Sequence, residues 1–140
     1  MAVVYNNALK ATRLQLVADL ISNLYPAAST GTATAGKIII GVSATDGGTI
    51  TTTLAELPLN VGVGTVSVVD PIALTFAGTP ITAVGIANGI ANSAEIHDST
   101  GETIVSGLTV GTFGSNIVLT STSITIGQQV QMTAGSITHG

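Results

Sequence analysis

From Lys37 onward the chain runs in short stretches rich in Val, Ile and Thr, each closed by Gly, Asn, Asp or Pro. This punctuation limits the fold more than any other feature. Branched side chains suit a pleated, half-buried surface, and turn signals at about eight- to twelve-residue spacing point to an antiparallel sandwich or barrel. The first two runs, 37–43 and 49–57, are joined by Ala44-Thr45-Asp46-Gly47-Gly48, whose Asp-Gly-Gly supplies positive-φ positions for a tight reversal. Runs 65–69 and 72–82 follow, broken at Asp70-Pro71, where proline cannot donate to a ladder. Runs 93–97 and 102–108 flank the turn Asp98-Ser99-Thr100-Gly101, and 116–126 reverses into 129–138 at Gly127-Gln128. The pattern predicts about eight antiparallel strands, arranged as a jelly-roll-like β-sandwich in preference to a closed barrel. No period of about 20 to 50 residues repeats, which argues against solenoids and propellers.

Only the N-terminal 25 residues carry helical periodicity. Leu9, Leu16 and Leu20 recur on one side, and Leu14, Val17, Ile21 and Leu24 widen the stripe. Asn6 or Asn7 can cap the start, and Pro26 forces Tyr25 out of the helical region. A helix is therefore expected over 7–24, followed by a small-residue linker over 26–36 and a β domain over 37–140. Lys10 and Arg13 lie in the early turns and Asp19 late, against the helix dipole, so packing must hold this helix.

Charge is the second constraint. The chain has three basic and seven acidic residues, 7% of 140, where soluble domains carry about 25%. On a monomer of this mass that is one charge per roughly 660 Å² of surface. With 45% hydrophobic residues, such a surface favours association, and the expected state is a homo-oligomer. Three cations cannot neutralise a run of phosphates or hold an anionic membrane, so neither nucleic acid nor membrane is an expected partner. Without cysteine there is no disulfide and no thiolate metal site. The N-terminus lacks a secretory pattern and no apolar run reaches the ~20 residues of a membrane helix, which predicts a soluble chain made in the cytoplasm.

Candidate chemistry is sparse. Glu95, His97, Asp98 and Glu102 form the one dense ionisable cluster, with Glu95 and His97 on one face and Glu102 opposite His97 if the turn has four residues. The group fits a solvated hairpin tip better than a metal site. His97, Asp98 and Ser99 are consecutive and cannot reach the geometry of nucleophile, base and orienter. Gly62-Val63-Gly64 has no Lys-Ser/Thr after it, and residues 98–102 lack the alternating oxygen ligands of a calcium loop. Two Tyr, two Phe and no Trp give little stacking surface for sugars or bases. No enzyme activity, catalytic residue, cofactor or metal is expected. Lys10 and Arg13, on the helix edge, are the expected polar anchors for another subunit.

Three blocks carry a resemblance: the opening MAVVYNNALKATRLQLV, the later SGLTVGTxGSNIVLTSTSITIGQ, and AGSITH near the end. They resemble small tailed-phage and prophage virion structural proteins over nearly the whole chain. Among those, the jelly-roll decoration or cement proteins match the length and expected architecture. The resemblance implies a virion protein on the capsid exterior that binds and stabilises the major capsid protein lattice. A tail or baseplate component, one that binds host receptors, is the alternative. It carries over no functional residue.

Overall fold

The computed structural model describes residues 6–21, 36–59, 64–67, 72–77 and 79–138, side chains 7 and 18–20 aside. The linker 26–35 and the Asp70-Pro71 break lie outside these residues. Among these residues the fold is mainly β with one helix, and its principal sheet is strongly curled and mostly antiparallel.

Eleven strands are present among the described residues: β1 (Lys37–Val42), β2 (Thr52–Pro58), β3 (Gly64–Val66), β4 (Ala73–Phe76), β5 (Ile81–Val84), β6 (Gly89–Ile90), β7 (Ser93–His97), β8 (Thr103–Gly111), β9 (Ile117–Leu119), β10 (Ser123–Ile124) and β11 (Gln129–Thr138). The main sheet runs β2-β1-β7-β8-β9-β11-β4-β3, with β5 also on β11, and β6 and β10 form a separate two-stranded ladder. The count exceeds the expected eight because two runs are interrupted and β6 forms where no run was expected. The run 72–82 becomes β4 and β5, both antiparallel to β11, with Thr75 opposite Ser136 and Ile81 opposite Met132. Between them the Thr79–Pro80 peptide is cis. The run 116–126 divides into β9, which joins β11, and β10, which joins β6. A uniformly antiparallel sheet is also corrected: β8 and β9 are parallel, with Val110 opposite Ile117 and Gly111 opposite Val118.

Aliphatic side chains of the strands supply the core. Ile38 and Ile40 of β1, Leu54 and Leu57 of β2, Ile96 of β7, Ile117 and Leu119 of β9 and Met132 of β11 are all fully enclosed. Burial of one such aliphatic side chain is worth about 1.5–3 kcal/mol, so this interior is the main favourable contribution to folding. A bulge between Ile40 and Gly41 shifts the β1–β2 register. It requires glycine, because a Cβ at Gly41 would lie 2.4 Å from Ile50 Cγ2 and 2.6 Å from Thr52 O. The curl brings the first strand of the path round to β5: the two pack together, and Ile86 N–H donates to Leu54 O at 2.8 Å. Every buried side-chain polar atom among the described residues has a hydrogen-bond partner.

The helix α1 (Asn7–Ile21) starts as expected, with Asn6 Oδ1 accepting the Leu9 amide at 2.8 Å. It packs against β3, β4 and β8. The buried stripe differs from the expected one. Leu14 and Ile21 are enclosed and Ala11 and Val17 half-covered, whereas Leu9 and Leu16 are exposed. Apolar residues occur all round this helix, so two stripes compete, and the sheet covers the one with 14-17-21 spacing. The expected end near Leu24 falls outside the described residues.

Candidate interaction surface

The β7–β8 turn holds the ionisable cluster, and it is more ordered than a solvated tip. Asp98 is buried. Its Oδ1 accepts the Thr100 amide at 2.9 Å, the Thr100 hydroxyl at 2.6 Å and the Glu102 amide at 3.0 Å. Asp98 N–H donates to Glu102 O and Gly101 N–H to Asp98 O, with Gly101 at φ 92°. Burial pushes the carboxyl up, but bonds from the Thr100 side chain and from the Glu102, Thr100 and Gly101 amides outweigh it and hold it below the usual Asp value. Asp98 is thus the keystone of a turn, with its acceptor capacity spent on the backbone.

The turn is one residue longer than expected, which changes the cross-strand partner of His97. Thr103, not Glu102, stands opposite His97, and Glu102 is exposed at the turn. His97 Nε2 lies 3.2 Å from Glu95 Oε1 and 3.1 Å from Thr103 Oγ1, so alternation does place Glu95 and His97 side by side. On the next strand Lys37 is in register with His97, and its Nζ pairs with Glu56 Oε1 at 2.6 Å. Both partners are substantially exposed, so this ion pair is worth at most about 1 kcal/mol. An open cleft of about 410 Å³ lies beside it, lined by Gly36, Lys37, Glu56, Pro58, Asp98 and Ser99. No group of three His, Asp or Glu side chains able to hold a metal occurs among the described residues.

Of the expected anchors on the helix, Arg13 is exposed and Lys10 half-buried. They are one turn apart on α1. No helix among the described residues is long and apolar enough to cross a membrane.

The surface as a whole has a stronger asymmetry, which counting charges over the entire chain misses. Lys37, Glu56, Glu95, His97, Asp98 and Glu102 all belong to β1, β2, β7 and the β7–β8 turn, and Asp46 to the β1–β2 connection. Residues 72–94 and 103–138 contain no Asp, Glu, Lys, Arg or His. Those two stretches supply β4, β5, β6, β9, β10, β11 and all of β8. They also carry every large hydrophobic side chain exposed among the described residues of the β region: Val84, Ile86, Ile90 and Ile126, each more than half exposed, and Phe113, at 84%. Ile86, Ile90 and Ile126 sit on segments tied together by backbone bonds. Ile90 pairs with Ser123, Asn88 Oδ1 accepts the Ile126 amide, and Gly127 N–H donates to Gly85 O. The charge-free runs were readable in the sequence, but only the fold shows that the exposed apolar side chains fall within them. Compared with family models, curated proteins and solved structures, the chain matches none of them.

Proposed function

We infer that this chain is a structural protein of a tailed-phage virion, a decoration or cement protein that sits on the capsid exterior and braces the major capsid protein lattice. The observation that carries this is the pair of charge-free stretches 72–94 and 103–138, where Val84, Ile86, Ile90, Phe113 and Ile126 face solvent. Apolar side chains set among Thr, Ser and Gly with no charge between them suit a surface that is covered in use. The sequence blocks at both ends and across 106–128 resemble proteins of that class, which supports the same assignment.

In this proposal the protein is a homo-oligomer, a trimer, and the helix edge with Lys10 and Arg13 contacts the capsid protein. We read the curled sheet as a jelly-roll-like sandwich, with β2-β1-β7-β8 as one layer and β9-β11-β4-β3, joined by β5, as the other. Repeated symmetric contacts would make weak individual interfaces effectively simultaneous on a lattice. Quantitative mass spectrometry of purified particles tests the assignment. A decoration protein is present in a fixed ratio to the major capsid protein, on the order of hundreds of copies, because it follows the lattice symmetry. Tail-tip stoichiometry would shift the assignment to a baseplate component, and absence from particles would refute a virion role.

A further inference from the structure

We propose that Phe113 of one copy seats in a cleft between β4, β9 and β11 of a neighbouring copy, so that a ring of this chain is held by an exchanged aromatic side chain. This rests on the homo-oligomer reading above and names its contact.

Two independent features meet here. The first is a presented ring. Phe113, one of two phenylalanines, is 84% exposed, although a Phe side chain covers about 150–250 Å² when buried. It is held out by a fixed loop. Asn116 Oδ1 accepts both the amide and the hydroxyl of Thr109 at 3.1 Å, and Asn116 N–H donates back to Thr109 Oγ1 at 3.2 Å. Within that clamp Gly114 turns the chain at φ 66°. A ring carried on an ordered loop docks without the added cost of ordering the loop.

The second feature is a receptacle. A cleft of about 260 Å³ is lined by Thr75, Phe76, Val118, Ala134, Gly135 and Ser136, among others. Its β11 wall is made of small residues, Ala134, Gly135 and Ser136. A cavity of about 150 Å³ holds a benzene-sized ring, so a phenyl group fits here with room at the mouth. None of the residues lining it is charged, so a ring entering it desolvates no ion.

The occupant follows from their arrangement. Ser115 and Asn116 belong to the loop that carries Phe113 and also line the cleft, so ring and receptacle adjoin on one side of the molecule. A foreign partner would have to supply only one complement, whereas a second copy supplies both. When that side faces a rotation axis, each copy gives one Phe113 and receives one, and the ring closes.

Light scattering across a concentration series decides this. Wild type is expected as a trimer at micromolar concentration. Phe113→Ser and Ala134→Arg, both at exposed positions, should each raise the concentration for half-dissociation by about tenfold or more. Their far-UV circular dichroism should be unchanged. Because the contact is uncharged, dissociation should vary little between low and high salt. The chain has no cysteine, so the double variant Phe113→Cys/Thr75→Cys, oxidised above the concentration at which Phe113→Ser still associates, should give covalently joined copies on a non-reducing gel. A monomeric wild type overturns both this contact and the homo-oligomer reading. An oligomer unaffected by Phe113→Ser overturns the contact alone. So does an oligomer that Phe113→Ser dissociates but that yields no Phe113–Thr75 cross-link.

Discussion

The strands β2, β1 and β7 and the strands β9, β11, β4 and β5 bury comparable aliphatic cores, yet they meet solvent differently. The first group carries Lys37, Glu56, Glu95 and His97 in adjacent register positions, and Asp98 and Glu102 follow in the turn to β8. The second carries no ionisable side chain, and its connections expose Phe113 and Ile126. A sheet that alternates in and out must put something on its outer face. One half uses ions, which tolerate permanent hydration. The other uses Thr, Ser, Gly and aliphatic groups, which tolerate either water or a partner. Interfaces bury uncharged surface cheaply and charged surface at a cost. The division therefore marks which side can be covered without penalty.

The largest test of this contrast lies in the strand that organises the uncharged half. Met132→Ala removes a fully enclosed side chain from β11 and should destabilise the protein by about 2–5 kcal/mol, read by denaturant unfolding. Ile96→Ala on the charged side should cost a similar amount, since both residues are fully buried. A large disparity would mean that the halves differ in their cores and not merely in their exteriors.

The turn comes next. Asp98→Ala strands the amides of Thr100 and Glu102 and should cost about 2 kcal/mol. The sign of the pH dependence follows from the lowered folded-state value of Asp98. Its contribution is complete above about pH 5, where the carboxyl is ionised folded and unfolded. It is lost as pH falls below the ordinary Asp value of about 3.9 and on through the folded one. Acid titration of wild type against Asp98→Ala should show the two curves converging at low pH. Parallel curves would remove the charged form from the account.

Surface changes should separate the halves by function. Ile90→Lys together with Ile126→Lys should leave unfolding within about 0.5 kcal/mol. On the covered side these charges should lower occupancy on particles about tenfold or more, because each must be desolvated. Lys10→Glu with Arg13→Glu should weaken docking in a salt-dependent manner, with the largest loss at low ionic strength. The smallest effect belongs to His97→Ala. It breaks contacts to Glu95 and Thr103 on the hydrated side and should cost no more than about 1 kcal/mol, without effect on assembly. If His97→Ala alters occupancy and the isoleucine variant does not, the assignment of the two sides is reversed.

What sequence could reveal here depended on how local the determining forces are. The Asp98–Gly101 turn and the Asn6 cap are set within four or five residues, and both occur where local chemistry places them. The break of 72–82 has a local signal in Pro80, which cannot donate to a ladder, whereas the parallel meeting of β8 with β9 is a tertiary pairing that no local pattern signals. The helix stripe failed for the same reason: Leu9 and Leu16 are as apolar as Leu14, and only β3, β4 and β8 select among them. Asp98 looked like a solvated tip because composition does not distinguish an exposed carboxylate from one that three donors surround.

One feature of the sheet has kinetic weight. β11 holds β9 on one edge and β5 and β4 on the other, so three earlier strands wait for a single later one. While the ribosome is still making residues before Gln129, β1, β2, β7 and β8 can pair among themselves, but β4, β5 and β9 have unsatisfied edges. Such edges template aggregation, and those of β4 and β5 lie in a stretch with no charge to repel a neighbouring nascent chain. Folding is then a race between the emergence of β11 and intermolecular pairing. Slower translation of the segment before Gln129 should lower soluble yield, even though the finished protein is the same.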